Sequence, residues 1–244
     1  MLHSNYSSAD TFYSLQIQTK FTSPGGQDLN NMPYDPSSPL QTQLTASLNS
    51  SFHNLRPSAD PSSASQTYID CLLLHSPLRT IEETLSAWQS LETYVPNRIK
   101  HLGISNVTLP ILQAVYQAAT IKPAVVQNRF YPATRHDGPL RRFCAEKGIV
   151  YESFWTLTGN RELVKCQPVT KLAQQVGVSV PVALYSMAMG LGVAVLNGTT
   201  NKERMKEDLE GVVKVQDWAA QNPAAWKGLM GGFAGLVGGG RLED

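Results

Sequence analysis

A histidine ends an apolar segment of the chain. Residues 68–77 read Tyr-Ile-Asp-Cys-Leu-Leu-Leu-His-Ser-Pro, so His75 follows three leucines and precedes a proline by two positions. An apolar run of this length, bounded by turn residues, predicts a strand covered on both faces, as in a parallel sheet. In barrels of alternating strands and helices, the catalytic groups lie where such strands end. His75 is therefore a candidate catalytic residue; the alternative for a lone histidine is a hydrogen-bonded core position.

Composition and charge exclude several other classes of protein. The 244 residues include 20 basic and 19 acidic side chains, which argues against a basic surface for nucleic acid. Cys71, Cys144 and Cys166 are far apart and fit no zinc spacing, so free thiols in a reducing compartment are expected, without a metal. No apolar run is long enough for a bilayer, and residues 1–10 lack the features of a secretory signal. We expect a soluble cytoplasmic protein with no membrane or nucleic-acid partner.

Predicted strands and helices alternate along the chain. Such alternation predicts an α/β fold with a parallel sheet, and a closed eight-strand barrel is the commonest solution at this size. Six strands are predicted, which is two fewer than a closed barrel needs. A loop is expected over 23–39 and a Ser/Pro/Ala linker over 57–65. The strands are predicted at 15–20, 68–77, 98–105, 123–128, 149–155 and 192–197. Helices are predicted at 40–55, 108–119, 138–147 and 162–176. Two further helices are predicted to begin at Thr80, with a capping-box pattern, and at Val180.

The strand ends carry an ordered series of motifs, and together they make the chain resemble the aldo-keto reductase family from about residue 15 to about residue 213. Residues 18–20 resemble the strand end with the family's catalytic lysine, and residues 68–77 resemble the strand that delivers its histidine. Residues 99–106, IKHLGISN, are similar to the signature IRxIGVSN, and residues 123–128, PAVVQN, to PAxxQxE/N. The loop at 23–39 and the segment 154–160 look most like a filamentous-fungal branch.

The resemblance implies a (β/α)8 TIM-barrel fold, here incomplete, with the first two strands missing at the N-terminus. The activity it implies is NADP(H)-dependent reduction of an aldehyde or ketone, in a monomer that acts on a small-molecule carbonyl substrate in a fungal secondary-metabolite pathway. In the family a tyrosine donates the proton, a lysine paired with an aspartate lowers the pKa of that tyrosine, and a histidine orients the carbonyl. Lys20 and His75 match the lysine and the histidine.

The family's aspartate and tyrosine have no counterpart in the expected context. The family carries them in a DxAxxYGNE motif well before the lysine, whereas only nineteen residues precede Lys20 here. Tyr6, Asp10 and Tyr13 lie in that stretch without the motif. Two hypotheses therefore stand. The chain is an active reductase, or it is a catalytically inactive, truncated reductase or pseudoenzyme that at most binds the nucleotide.

The residues that the resemblance assigns to the nicotinamide are present. Ser105, Asn106 and Gln127 match the groups that hydrogen-bond the carboxamide, and Phe154 matches the aromatic ring that stacks on the nicotinamide. Trp155 is a rival for the stacking role, because the register can shift by one residue. The alternative for all of them is a purely structural role at strand ends and in the core.

The residues expected at the adenosine phosphate depart in part from the family pattern. The family has a P-K-S run followed by R-I-x-x-N, and the basic groups hold the 2′-phosphate. Here Gly198 stands in place of the lysine and Asp208 in place of the asparagine, while Arg204 remains. The resemblance thus assigns Asn197, Thr199, Arg204 and Asp208 to the cofactor, and it favours NADPH with weaker discrimination against NADH.

The C-terminal segment leaves the family pattern. We divide the chain into a reductase-like barrel domain over 1–215 and an Ala/Gly/Trp-rich tail over 216–244. Apolar residues of the tail can form one helical face, but its glycines weaken a helix. A cap packed over the barrel, a mobile tail and a partner-binding segment are all compatible with this composition.

Overall fold

The protein folds around one parallel sheet. The structure, a computed structural model, describes residues 16–28 and 30–238. Six parallel strands pair in sequence order, each with the strand that follows it along the chain. The strands are β1 (Gln18–Phe21), β2 (Ile69–Leu74), β3 (Ile99–Ser105), β4 (Val125–Arg129), β5 (Val150–Phe154) and β6 (Val193–Val195).

Helices follow the strands and cover one face of the sheet. Their order confirms the alternation that the sequence predicts, and it gives the α/β architecture of an incomplete barrel. The α-helices are α1 (Leu40–Asn54), α2 (Ile81–Glu92), α3 (Leu109–Ala118), α4 (Gly138–Lys147), α5 (Gln167–Val176), α6 (Val180–Gly190), α7 (Lys202–Gln221) and α8 (Pro223–Leu236).

Two of the differences between the predicted and the observed segments involve proline. The linker at 57–65 contains the start of a 3-10 helix, Pro61–Gln66, which Asp60 caps by accepting a hydrogen bond from the Ser62 amide. The single helix predicted over 162–176 is a 3-10 turn, Leu163–Lys165, followed by α5. The backbone is extended at Cys166, and a proline in the first turn begins a helix more readily than it continues one. The predicted start of the first strand, Leu15, lies outside the described residues.

The sheet is strongly curved. A side chain of β1 reaches a side chain of β5, because Gln18 Nε2 donates to Glu152 Oε1 over 3.0 Å. In a flat sheet the two strands would lie about 19 Å apart, at four inter-strand spacings. The sheet is therefore an arc of a barrel, and its concave side encloses a lumen.

The two faces of the arc carry different kinds of residue. The convex face packs the main core against the helices, with buried Leu72, Leu102 and Val126. The lumen side holds a small separate apolar cluster of Cys71, Leu73 and Val125. Gly103 leaves no room for a side chain between its neighbouring strands, since an added Cβ would lie 2.7 Å from the carbonyl oxygen of Val125 and 3.2 Å from Leu73. Polar side chains occupy the lumen nearer the carboxyl ends of the strands.

The C-terminal helices pack on the outside of this arc. The predicted boundary between 215 and 216 falls inside the continuous helix α7. Helix α8 follows and packs on α5 and α6, with Phe233 fully buried. Gly190 permits the close approach of α8, since a Cβ at this position would lie 2.8 Å from the Trp226 ring. Within 16–28 and 30–238, no single helix is long and apolar enough to cross a membrane; α5 and α6 meet those criteria only as a pair bent by 111°.

Candidate active site

A cavity of about 480 Å³ opens at the carboxyl ends of the strands. Its wall brings together residues from positions 20 to 198, so it depends on the tertiary fold. Seven of the predicted site residues line it, and Ser105 lies fully buried next to Asn106. Thr199, Arg204 and Asp208 do not line it and lie beyond Gly198, at and near the start of α7. The predicted residues in the wall are Lys20, His75, Asn106, Gln127, Phe154, Trp155 and Asn197.

Lys20 lies on the lumen side of β1 and donates a hydrogen bond to Gln127 Oε1. Burial lowers the pKa of Lys20, and the nearby carboxylate of Glu152 partly opposes this effect. Lys20 is thus a half-buried cation held by a neutral amide, in the electrostatic field of a carboxylate.

His75 directly follows β2, and its backbone is held on both sides. Its amide donates to the carbonyl of Phe21 over 2.8 Å, and its carbonyl accepts from Asn106 Nδ2 over 2.9 Å. Burial lowers the pKa of His75, and the positive charge of Lys20 lowers it further. The imidazole is therefore neutral at pH 7, so it can donate one N–H hydrogen bond to a neutral acceptor such as a carbonyl oxygen.

Ser105 and Asn106 end β3 and tie it to its neighbours. Ser105 Oγ donates to the backbone carbonyl of Gln127 over 2.6 Å. Asn106 has a left-handed backbone, with φ of 52°, which asparagine tolerates better than most residues. Its amide nitrogen is engaged by the His75 carbonyl and Ser105 Oγ, while no hydrogen bond to its side-chain oxygen is found within the described residues.

Phe154 and Trp155 both line the cavity, in different backbone states. Phe154 ends β5 and shares the lumen side with Glu152, two residues earlier. Trp155 has φ of 60° and is 52% exposed, and the Arg129 guanidinium lies 4.5 Å from the centre of its ring. A bulky residue with positive φ is strained, so the surrounding turn must hold it. The Trp155 carbonyl accepts from the amide of Gly159 over 2.8 Å.

The residues predicted at the adenosine phosphate surround the start of α7. Asn201 caps the helix by accepting from the backbone amide of Arg204 over 3.1 Å, and Thr199 Oγ1 accepts from the Asn201 amide. Asn197 Nδ2 donates to Asp208 Oδ2 over 2.6 Å. Burial raises the pKa of Asp208. The Arg204 side chain is exposed beside the helix N-terminus, where the backbone N–H groups favour an anion.

The tyrosine and aspartate expected beside Lys20 are not found in the described part of the cavity wall. Tyr6, Asp10 and Tyr13 lie outside the described residues. Tyr185 of α6 lines the cavity, but burial raises its pKa, and Asp208 raises it further. A tyrosine that donates a proton near neutral pH needs a lowered pKa instead.

The interpretation of the sequence missed two lumen residues, Gln18 and Glu152. Gln127 Nε2 donates to Glu152 Oε2 over 2.7 Å and to Gln18 Oε1 over 2.9 Å. Side chains alternate between the two faces of a strand, and this pattern could have identified both residues, because Gln18 lies two residues before Lys20 and Glu152 two before Phe154. Both therefore share the lumen face with a predicted site residue.

Several known proteins of related sequence are reductases. The chain is 33% identical over 153 residues to an NAD/NADP-dependent indole-3-acetaldehyde reductase of Schizosaccharomyces pombe, which covers 58% of this chain and 53% of that protein. It is 28% identical over 172 residues to the 7-acetyl-epi-neemfruitin B aldo-keto reductase of Melia azedarach, over 62% of this chain and 52% of that protein. The chain thus spans about half the length of the curated relatives it matches.

Solved structures share the fold. An aldo/keto reductase from Brucella melitensis superposes with a TM-score of 0.60 at 17% identity, covering 80% of this chain and 66% of that one. An aldo-keto reductase complexed with NADPH gives a TM-score of 0.60 at 15% identity, covering 82% and 63%.

The family assignment rests on a longer match than any of these pairs. The model of the aldo/keto reductase family matches residues 12–217, which include all six strands and every lumen residue described above. The ordered motifs, the parallel arc and the cavity at its carboxyl end agree with that match. The chain belongs to the aldo/keto reductase family.

Proposed function

We propose that this protein is an NADP(H)-dependent reductase that converts an aldehyde or ketone to an alcohol. The observation that carries the proposal is that one cavity, at the carboxyl ends of the strands, is lined by all of Lys20, His75, Asn106, Gln127 and Phe154. Parallel barrels place their chemistry at this end. Related proteins are oxidoreductases that act on aldehydes and ketones, which supports the reaction class.

The residues present fit a nicotinamide nucleotide. The Asn106 side-chain oxygen is available to accept from a carboxamide, and Phe154 offers an aromatic face in the same cavity. Arg204 at the start of α7 can hold a phosphate in a forked contact, which favours NADPH. Asp208 lies one turn further on and carries the opposite charge, so we expect weak discrimination against NADH. When bound, the nucleotide supplies the hydride.

Lys20 and His75 would have different roles at the carbonyl group of the substrate. Neutral His75 orients the carbonyl by donating an N–H hydrogen bond to its oxygen. Hydride addition leaves negative charge on that oxygen, and Lys20 Nζ stabilises this charge and can share a proton with it. The cation is effective because the half-buried site screens its charge less than water does.

The substrate is not defined by the relatives. Their names include an indole-3-acetaldehyde reductase, a D-galacturonate reductase and an alpha-keto amide reductase, which act on chemically different carbonyl compounds. A role in fungal secondary metabolism, a cytoplasmic location and a monomeric state stay predictions from the sequence.

Binding of the nucleotide without turnover is the second candidate. The observation in its favour is that the described cavity wall contains no tyrosine with a lowered pKa. The two functions differ in a direct experiment on the purified full chain, with quenching of NADPH fluorescence as the binding signal and carbonyl-dependent NADPH oxidation as the turnover signal. Quenching together with oxidation of NADPH by a panel of aldehydes and ketones is expected. Quenching without oxidation would contradict reductase activity and establish the second candidate, and no quenching would refute both.

A further inference from the structure

Four polar side chains form a closed network across the lumen, which we call the lumen quartet: Gln18, Lys20, Gln127 and Glu152. Lys20 donates to Gln127 Oε1, and Gln127 Nε2 donates to both Glu152 Oε2 and Gln18 Oε1, over 2.7 and 2.9 Å. Gln18 Nε2 closes the ring by donating to Glu152 Oε1 over 3.0 Å. The members come from β1, β4 and β5, so the network joins opposite sides of the arc.

Glu152 and Lys20 together determine which way the Gln127 amide points. A carboxylate only accepts hydrogen bonds, so the Gln127 atom next to it must be the nitrogen. The oxygen of the same amide then points to Lys20, which only donates. A neutral amide at position 152 could either accept from Gln127 or donate to it, so Lys20 alone would then fix the orientation of Gln127. In the reversed orientation the Gln127 nitrogen would face the Lys20 ammonium, and two donors would oppose each other.

Glu152 also provides negative charge close to Lys20. Burial alone lowers the pKa of Lys20, and Glu152 opposes that effect, which keeps the cation protonated at higher pH. The other ionisable groups around the pair are on β2 and α6. His75, whose pKa burial and Lys20 lower, is neutral at pH 7, and so are Cys71 and Tyr185, whose pKa values are raised. Glu152 is therefore the counter-charge of Lys20 within the described residues.

We propose that Glu152 is a positioning residue of the reductase site, which together with Lys20 fixes the orientation of the Gln127 amide and keeps Lys20 charged in the cavity. The inference rests on the proposed function for its catalytic consequence, but the electrostatic pairing of Glu152 with Lys20, which are linked through Gln127 without a direct ion pair, is testable without turnover. Glu152 lies on a strand that also delivers Phe154 to the cavity, so the residue acts from within the rigid part of the fold.

The experiment measures the protonation of Lys20 in the full chain. Competitive acetylation with acetic anhydride, followed by peptide mass spectrometry between pH 7 and 11, gives a labelling midpoint for each lysine. Glu152→Gln keeps the size of the side chain and removes its charge. We expect its Lys20 midpoint to fall by up to about 1 pH unit, because the charge of Glu152 raises the pKa of Lys20 and the variant lacks that charge. Glu146→Gln, on the exposed side of α4, is the matched control and should leave the midpoint unchanged.

Each outcome decides between pairing and no pairing. A Lys20 midpoint in Glu152→Gln equal to that of the wild type would overturn the inference. If circular dichroism shows that this variant does not fold, Glu152→Asp withdraws the carboxylate by one methylene, and a smaller downward shift is expected; no shift there would also overturn it. Where the wild type oxidises NADPH, the pH at which kcat/KM declines should move with the Lys20 midpoint. A shifted midpoint in a protein without turnover would sustain the pairing and refute the proposed function alone.

Discussion

At the scale of single residues, burial sets the charge states in the cavity. His75 and Lys20 are both partly buried, and both have lowered pKa values, yet the consequences for their charge differ. The histidine becomes neutral at pH 7, while the lysine, which starts far higher, remains a cation. One half-buried site thus holds a neutral hydrogen-bond donor and a positive charge, and both would stabilise the alkoxide of the proposed reaction.

His75→Ala should separate chemistry from cofactor binding. Because His75 contacts the carbonyl in the proposed function, its loss is expected to lower kcat by about 100-fold or more. NADPH affinity, measured by fluorescence quenching, should change by far less. The control is His53→Ala, at an exposed position on α1. Comparable losses of kcat and affinity in His75→Ala would show that the residue is structural.

The burial of His136 leads us to expect that the folded protein loses stability in mild acid. It is buried, its Nε2 donates to Asn160 Oδ1 over 2.8 Å, and burial lowers its pKa below the ordinary value of 6.5. The unfolded chain therefore takes up a proton at a pH where the folded state resists it. This contribution to the free energy of unfolding is full above pH 6.5 and is lost as the pH falls through the folded pKa, by up to about 1.4 kcal/mol per pH unit.

Urea unfolding of wild type and His136→Gln at pH 7.5 and 5.5 measures this effect. The variant cannot bind a proton at this position, so its stability should fall less between the two pH values. His53→Gln, at the exposed position, should retain the wild-type dependence. An equal decline in wild type and His136→Gln would refute the assignment to His136.

At the scale of elements, the turn before α4 and the last helix show how packing overrides local preference. Arg135, His136 and Asp137 have consecutive positive φ values of 52°, 51° and 52°, each of which costs about 1–2 kcal/mol for a residue with a Cβ. The Asp137 carboxylate accepts from Asn128 Nδ2 over 2.8 Å and from Tyr151 Oη over 3.0 Å, and these bonds hold the turn. No local pattern in this segment predicts a left-handed turn.

Phe233→Ala tests whether α8 belongs to the core. The side chain is fully buried against the helices, so its removal is expected to destabilise the protein by about 3–5 kcal/mol in chemical denaturation. Leu236→Ala is the control on the same helix, since Leu236 is 52% exposed and should cost less than about 0.5 kcal/mol. Equal, small effects of the two changes would mean that α8 is an independent tail.

At the scale of the whole molecule, the described part of the arc leaves two strand edges and an apolar helix face open. Among the described strands, β1 and β6 each pair on one side only. Helix α7 exposes Met205, Leu209 and Val213, one turn apart, with exposed fractions of 43%, 73% and 55%. Unpaired edges and exposed apolar faces both promote association.

Leu209→Lys is expected to reduce self-association without loss of stability. The side chain is largely exposed, so the free energy of unfolding should change by less than about 0.5 kcal/mol. The measurement is the concentration dependence of molecular mass in light scattering. Gln216→Lys adds the same charge at an exposed position of α7 without removing apolar surface. If both variants reduce association equally, charge and not the apolar face is responsible.

The sequence predicted the elements more accurately than their ends. Periodicity and caps are local, so the helix over 138–147 and the Thr80 cap are confirmed, with Thr80 Oγ1 accepting from the Glu83 amide over 3.1 Å. Cys166 ends one helical segment and begins another because of its extended backbone and the proline that follows, which the helical pattern alone did not show. The glycines of the C-terminal segment argued against a helix, yet burial of Phe233 and Leu229 stabilises one.

By itself, the sequence determined the family, the six alternating strands and the identity of the residues at their carboxyl ends, because these depend on motifs and short-range periodicity. Only the tertiary structure decided that Glu152 meets Gln18, 134 residues away, and that Gln127 links both to Lys20. The charge states of His75 and Lys20 were decided there as well, since desolvation depends on what packs around a side chain. The curvature of the sheet, which no local pattern records, brings these groups together.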